Sequence, residues 1–455
     1  MKRFTLEEIA LACDGKYFGD ELQKQTAVTS VERDSRAVKK GSLFLAIKGE
    51  RVDGHDYIEK SYEQGASCVL CEKALQNCDK PYILVDSTLE AVKKIAKAYR
   101  QKFDIPIVGV SGSVGKTSTK EMLYSVLSQK YITHKTLGNL NNELGVPLTL
   151  LAMPEDTQTA VIEMGISDFG EMSRLSEMVQ PTICVLTVIG DCHLENLGDR
   201  KGVLRAKTEM FNNAKPNAEF VLNGDDENLS SITCVNGKKP VFYGFSNKNS
   251  FYAENVKNNA DKGVDCTLCF EGKRLDVTIP AIGNYMVSNA LAGVVVGKIL
   301  GLSDEQLVNG VQSYKTVGSR ANVINTDKIR IIDDCYNANP TSVKASIDTL
   351  MNFDGRKVAV LGDMKELGAE ELKLHFDTGR YAKDKGVDVV VAIGELAKSL
   401  SQGADCVWFE SIEKAKKELT KIIKEGDTVL VKASHSMQFE KIVEFLKENF
   451  DKTAD

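Results

Sequence analysis

Short β-branched runs alternate with amphipathic stretches along the whole chain, the pattern of α/β layers on mostly parallel sheet. "FTLEEIALACDG" repeats its apolar residues at intervals of three and four, which predicts a helix. "SLFLAIKG" predicts a short strand ending at Gly. "YIEKSYEQGASCVLCE" predicts helix, Gly stop and strand, and "YILVDSTLEAVKKIAKAYRQKF" a further strand and helix. "DIP" at 104–106 breaks the pattern and sets a first domain at 1–104.

A second domain is expected over 105–318. It opens on "PIVGVSGSVGKTSTKEMLYSVLSQK", read as strand, glycine loop and helix. Strands follow at "TAVIEMG", "TICVLTVIG" and "AEFVLNGDD". Between about 240 and 280 short strands with polar turns predict an antiparallel extension. "NALAGVVVGKILGL" predicts a helix packed on a sheet, and "SDEQLVNGVQSY" a capped helix. "KTVGSR" reads as a linker into a third domain, 319–455. There "KIRIIDD", "KVAVLGDM", "VDVVVAIG", "DCVWFE" and "DTVLVKAS" are five apolar strands separated by helices, a small doubly wound, Rossmann-like domain. Ligands in such sheets sit outside the carboxyl ends of the strands.

Composition narrows the function. The 58 Lys+Arg against 64 Asp+Glu give −6, without a long basic run, which argues against a nucleic-acid binder. The longest apolar run, Ala290 to Leu302, is broken by Lys298 and falls short of the roughly 18–20 residues of a membrane span. Glu7 and Glu8 interrupt the start of any signal peptide. The 11 cysteines form no paired CxxC or HxxxH set, so zinc is unsupported, and Cys68 and Cys71 read as buried thiols in a strand. These features predict a cytoplasmic protein without nucleic acid or membrane insertion, and a monomer is expected alongside.

The strongest chemical signal is Gly112-Ser113-Val114-Gly115-Lys116-Thr117, followed by Ser118, between strand and helix. Glycines let backbone amides face a phosphate, Lys116 reaches β/γ-phosphates, and the Thr117 hydroxyl suits Mg²⁺. Val110 stands where the strict phosphate-loop pattern has Gly. Glu163 ends the strand "TAVIEMG", placed to hold a cation or to be an ordinary strand-end carboxylate. His193 follows the next strand as a loop residue or a ligand. Lys207 reads as a solvated helical Lys or as something rarer. Asn139, Asn141 and Asn142 suit phosphate or sugar, or a loop. "IIDDCYNANPTS" and "LGDMKELG", with Glu366, each end a strand in carboxylates and a polar turn, and Arg320 at the linker could cross a cleft.

Together the motifs resemble the Mur ligases, ATP-dependent amide-bond ligases of peptidoglycan synthesis. "GKT", "GNLNNELGVPLTLL", "DDCYNANPTS", "LGDMKELG" and "VERDSRAVKKGSLFLAIKGERVDGHDYIEKSYEQGA" carry the resemblance over nearly the whole chain. It implies three domains: an N-terminal UDP-sugar-binding domain, a central ATP-binding ligase domain with a phosphate-loop parallel sheet, and a C-terminal Rossmann-like domain. It implies ATP and two Mg²⁺ as cofactors, with UDP-N-acetylmuramoyl-tripeptide and D-alanyl-D-alanine as substrates joined through an acyl phosphate.

By the same resemblance, Gly112 to Ser118 bind ATP phosphates, with Lys116, Lys207 and His193 catalytic, and Thr117 and Glu163 hold the first Mg²⁺. His193 and a carbamate on Lys207 hold the second. Asn289 and Arg320 contact the nucleotide, and Asp334, Tyr336 and Asn337 approach adenine and ribose. Ser35, Arg36, Lys48, the stretch 48–53 and His55 lie near the UDP-sugar, with Asn139, Asn141 and Asn142 on the substrate side. Three departures from the family pattern cover four positions: Tyr285 replaces a usual His, Ala433 and His435 replace Gly and Arg, and Cys192 replaces a common Ala. His435 in place of Arg removes a permanent cation. A folylpolyglutamate synthase shares the central logic, but the N-terminal block and the "YNANP" loop count against it. A nucleotide-binding relative without ligase chemistry finds support only in Tyr285, Ala433 and His435.

Overall fold

The computed structural model describes residues 1–49 and 51–451. Three sheets follow one another along the chain, with five, nine and six strands. In the first, Ser30–Glu32, Ser42–Leu45, Cys68–Cys71 and Tyr82–Leu84 run parallel, and the short edge strand Lys16–Phe18 pairs antiparallel with Tyr82–Leu84. Helix Leu6–Ala12 opens on a reciprocal cap. The Thr5 hydroxyl accepts from Glu8 N–H at 3.2 Å, and the Glu8 carboxylate accepts from Thr5 N–H at 2.8 Å. Cys68 and Cys71 are buried thiols, and burial pushes the Cys71 thiol up to about 11.

Helix Thr88–Gln101 ties this sheet to the next. Its Tyr99 hydroxyl donates to Met153 O at 2.8 Å, and Arg100 donates to Val179 O at 2.9 Å. Leu6 and Ile95 share one continuous apolar core with Val146 and Leu175. The break at 104 therefore separates two sheets but not two cores.

In the central sheet, strand Ile107–Ser111 lies between Thr159–Glu163 and Ile183–Leu186, all parallel. All three are buried along their length, which is why they read as continuous apolar runs. Parallel pairing brings their carboxyl ends to one side of the sheet. Glu219–Asn223 and Val241–Gly244 continue it in parallel. The antiparallel part is smaller than the sequence suggests, because Phe251–Asn258 still pairs parallel with Val241–Gly244. Asp225 accepts the N–H groups of Phe245 and Ser246 and carries the chain across the strand end. Only Phe251–Asn258, Val264–Phe270 and Lys273–Ile279 form an antiparallel meander. Helix Tyr285–Ile299 packs on the phosphate-loop helix Lys116–Leu127, where a Cβ on Gly293 would stand 3.2 Å from Met122. Helix Asp304–Gln312 carries the expected cap, Ser303 with Gln306.

The C-terminal sheet holds the five expected strands in parallel, in the order Arg330–Asp333, Thr428–Lys432, Lys357–Gly362, Val389–Ile393, Val407–Phe409. A sixth, Asn322–Asn325, adds antiparallel at the edge. None of its residues is buried, so "NVIN" carries no strand pattern. Among the described residues, no helix is long and apolar enough to cross a membrane.

Candidate active site

The carboxyl ends of the central strands open on a cleft of about 980 Å³ lined by residues of all three sheets' domains. Lys48 comes from the first, the 113–118 loop, Glu163, His193 and Asn289 from the second, and Asp334, Tyr336 and Asn337 from the third. Arg320, on the linker, also faces it.

Gly112 and Gly115 shape the phosphate loop. Gly112 has φ +150°, and a Cβ there would stand 2.0 Å from Thr187 Oγ1. Gly115 has φ +84° and starts helix Lys116–Leu127, whose free N–H groups and dipole face the cleft. Both positions exclude other residues, and that answers the missing Gly at Val110: the tight approach is made at Gly112. The loop is pinned from behind. Ser113 N–H donates to Val188 O at 2.7 Å, and the Ser113 hydroxyl donates to Gly190 O at 3.2 Å. The Cys192 thiol lies 3.0 Å from the same hydroxyl oxygen. Lys116 Nζ folds back onto Gly112 O at 2.8 Å.

Thr117 Oγ1 donates to Glu163 Oε1 at 3.0 Å, and Asn141 Nδ2 donates to the same oxygen at 2.8 Å. Glu163 Oε2 is buried and accepts no hydrogen bond among the described residues; the Lys120 ammonium is 3.7 Å away. Lys120 is itself buried, donating to Thr136 O at 2.8 Å and paired with Glu121, which also meets Lys135. An anionic oxygen left open beside a Thr hydroxyl fits a hard cation. Among the described residues no three His, Cys, Asp or Glu converge on one point. A cation here would therefore draw most ligands from substrate oxygens and water, as Mg²⁺ commonly does.

Lys207, on helix Arg200–Thr208, is fully buried and not among the residues lining the cleft. Its Nζ has no hydrogen-bond partner among the described residues. Burial pushes its pKa down to about 8, and the Lys116 ammonium acts in the same direction. A solvated helical Lys is thereby excluded. His193 lines the cleft at φ +51°, where it begins the short helix Leu194–Leu197. Its Nδ1 is 2.5 Å from Glu366 Oε2 of the C-terminal domain. The nearby His193 holds the Glu366 carboxyl below its usual range.

On the opposite wall, the Arg320 guanidinium stacks 3.6 Å from the Tyr336 ring centroid, and the His435 ring lies 5.6 Å from that of Tyr336. Asp334 already accepts from Lys432 Nζ at 2.7 Å, Ser346 Oγ at 2.6 Å and Ala321 N–H at 3.1 Å. Asn289 Oδ1 accepts from Thr119 Oγ1 at 2.8 Å, tying helix Tyr285–Ile299 to the phosphate-loop helix. Tyr285 lines the cleft, and burial raises its hydroxyl pKa. Ala433 is fully buried.

Several anticipated residues are not brought to the cleft. Arg36 is 82% exposed and paired with Asp34 at 2.7 Å. Ser35 is buried in the same turn. His55 uses both ring nitrogens internally: Nδ1 lies 2.6 Å from Asp53 Oδ1, and Nε2 accepts from Glu72 N–H at 3.0 Å. Glu50, within the stretch 48–53, lies outside the described residues. Asn141 and Asn142 line the cleft and Asn139 does not; Asn142 also caps the turn by accepting Gly145 N–H at 2.9 Å. Residues that sequence reasoning passed over are Lys120, Thr187 and Lys432. Lys432 ends a buried strand, a position where a Lys without a partner is costly, and that was the available signal.

Three family descriptions match the chain: "Mur ligase family, catalytic domain" over 27–100, "Mur ligase middle domain" over 110–297 and "Mur ligase, glutamate ligase domain" over 319–435. The chain is 37% identical to the UDP-N-acetylmuramoyl-tripeptide--D-alanyl-D-alanine ligase of Bacillus subtilis (strain 168), covering 99% of each. It superposes on a crystal structure of MurF from Acinetobacter baumannii with a TM-score of 0.92 at 30% identity, over 98% of this chain and 99% of that one. MurF ligase from Thermotoga maritima in complex with ADP gives a TM-score of 0.82 at 30% identity, over 92% and 97%.

Proposed function

The chain belongs to the Mur ligase family, and from that premise we propose that it joins D-alanyl-D-alanine to UDP-N-acetylmuramoyl-tripeptide at the expense of ATP. The observation that carries the chemistry is the open Glu163 oxygen beside Thr117, under a glycine loop that bears Lys116. The γ-phosphoryl group passes to the terminal carboxylate of the tripeptide, and ADP leaves. A carboxylate is a poor electrophile, and phosphate gives it a leaving group. The dipeptide amine then attacks the acyl carbon, the amide forms, a proton is lost and phosphate departs. This chain's part is positioning and charge stabilisation. The loop amides and Lys116 hold the phosphates, and Arg320 with Tyr336 offers a flat, cationic platform for a base. Asp334 and Asn337 shape the ribose side, and Asn289 braces the loop from behind. Mg²⁺ held by Thr117 and Glu163 supplies neutralisation of developing phosphate charge.

Lys207 is assigned a carbamate formed with CO₂, which with His193 holds a second Mg²⁺. An enclosed, unpartnered amine supports this reading, because CO₂ reacts with the neutral form and burial favours that form. Lys48 faces the UDP-sugar from the cleft wall, and Asn141 and Asn142 complete the substrate side. The enzyme works as a cytoplasmic monomer, in keeping with the free state of all eleven cysteines. The decisive assay is ADP release by the purified chain with ATP, UDP-N-acetylmuramoyl-tripeptide and D-alanyl-D-alanine, each omitted in turn. Turnover only with all three is expected; turnover with a folate substrate, or none at all, would overturn the assignment.

A further inference from the structure

Glu366 has no task in the reaction so far, yet it stands in an unusual place. It follows strand Lys357–Gly362 at φ +64°, a left-handed conformation costly for a residue with a side chain. That conformation carries its carboxylate out of the C-terminal domain to 2.5 Å from His193 Nδ1 in the central domain. His193 is also left-handed, at φ +51°. Two strained residues from different domains thus meet at one contact.

The surrounding surfaces are closely docked. Gly368 lies against Glu195, where a Cβ would stand 3.2 Å from the Glu195 backbone. Gly190 faces Thr341, where a Cβ would stand 2.6 Å from its hydroxyl. The 190–195 loop, which also anchors Ser113, is therefore clasped by two segments of the C-terminal domain. The His193–Glu366 contact stands at 2.5 Å, an ion-pair distance, without hydrogen-bond alignment.

Metal-binding imidazoles commonly give their second ring N–H to a carboxylate, which fixes tautomer and orientation. We propose that Glu366 is a positioning residue: its carboxylate takes the Nδ1–H of His193, leaves Nε2 for the cleft, and does so only when the C-terminal domain is docked on the 190–195 loop. The metal site is then complete only in the closed arrangement, so nucleotide binding and domain closure are coupled through one side chain. The inference rests on the reading of His193 as a cation ligand.

The test is Mn²⁺ titration of the ADP-loaded protein, followed by electron paramagnetic resonance, with kcat and Mg²⁺ dependence measured alongside. E366A should weaken the His193-dependent Mn²⁺ site by about 10–100-fold, with E366Q losing less because its amide oxygen still accepts Nδ1–H. In an H193A background, E366A should add no further loss. The KM for the UDP substrate should stay unchanged. Wild-type Mn²⁺ affinity in E366A, an additive loss in the H193A background, or wild-type affinity in H193A would each overturn the proposal. If E366A fails to fold by thermal unfolding, E366Q carries the same comparison. Absence of ADP release from all substrates would sink the ligase reading while leaving the Mn²⁺ result to decide Glu366.

Discussion

At the phosphate loop, buried polar atoms lack hydrogen bonds; in the N-terminal domain, residues of the same kinds are tied to one another. Among the described residues Glu163 Oε2 and Lys207 Nζ are enclosed without a hydrogen bond, Glu163 Oε2 having the Lys120 ammonium at 3.7 Å. Asp53 and His55 close on each other and on Glu72, and Arg36 closes on Asp34. Leaving a buried polar group unpaired costs about 1–3 kcal/mol, more for a charge. A fold keeps such groups only where something else balances the cost, and a ligand that completes them is the ordinary reason. Groups satisfied within their own loop carry no such sign. The phosphate-loop wall is therefore built for what it binds, and the N-terminal loops are built first for themselves.

The sharpest break in this contrast would come from Lys116. Lys116→Ala removes a preorganised cation from a transferring phosphoryl group, and ADP formation should fall about a hundredfold or more. Circular dichroism should show an intact fold, because among the described residues Lys116 Nζ makes its hydrogen bond only to the nearby Gly112 O. Near-normal turnover would remove the phosphate loop from the mechanism.

Lys207 gives the next largest effect, in two directions at once. Lys207→Ala should lose most activity, with partial recovery on adding a short-chain carboxylate in the carbamate's place; full activity would end the metal role. Stability should move the opposite way in Lys207→Met, which fills the space without the amine. The folded pKa of about 8 lies below the roughly 10.5 of a free lysine, so the unfolded chain binds the extra proton between those values. In bicarbonate-free buffer the wild type should therefore gain stability as pH rises from about 8 to 10.5. The advantage of Lys207→Met should be largest below about 8, on the order of 3 kcal/mol, and shrink above it. A pH-independent difference would mean the amine is not enclosed in solution.

What the sequence made legible follows the same divide. The long buried strands, the phosphate loop and Glu163 were readable because parallel strands and glycine turns leave strong local patterns. The edge strands Lys16–Phe18 and Asn322–Asn325 were not, since neither buries a residue and pattern arises from burial. The shared core beneath helix Thr88–Gln101 was hidden because nothing in a helix's periodicity names its partner. Lys120 was passed over because a lysine in an amphipathic helix reads as solvated; only tertiary structure shows it facing Glu163. Glu366 was visible as a residue, but its meeting with His193 spans two domains.

On the N-terminal side the expected effects are smaller and fall on stability. His55→Ala removes the acceptor of Glu72 N–H and the partner of Asp53, and the ring is only 6% exposed. The thermal midpoint of this domain should fall by about 4–8 °C, the shift that about 1 kcal/mol gives in a domain of about 100 residues. The KM for the UDP substrate should hardly change. A tenfold rise in KM at unchanged midpoint would show that the ring serves the substrate, and the contrast would fail at that residue.

Arg36 sets the smallest and finest test. Its guanidinium reaches back two residues, donating from Nε to Asp34 Oδ1 at 2.9 Å and from Nη2 to Oδ2 at 2.7 Å, and the Arg36 backbone N–H donates to the same Oδ1 at 2.9 Å. These contacts, the side chain's first, pull the Asp34 carboxyl down to about 2. A depressed carboxylate stabilises the fold above its unfolded pKa and loses that contribution as pH falls through its folded pKa. Arg36→Ala deletes the side-chain contacts and keeps the backbone one, because alanine retains its N–H. The Asp34 pKa, followed by NMR, should therefore rise only part of the way to its ordinary value, and the acid limb of the unfolding curve should begin at slightly higher pH. An exposed pair of this kind adds little, so the KM for the UDP substrate should stay within about threefold. A much larger KM change, with Asp34 titrating as expected, would mean the guanidinium leaves Asp34 for the substrate, and the N-terminal wall would then share the ligand-completed character of the phosphate loop.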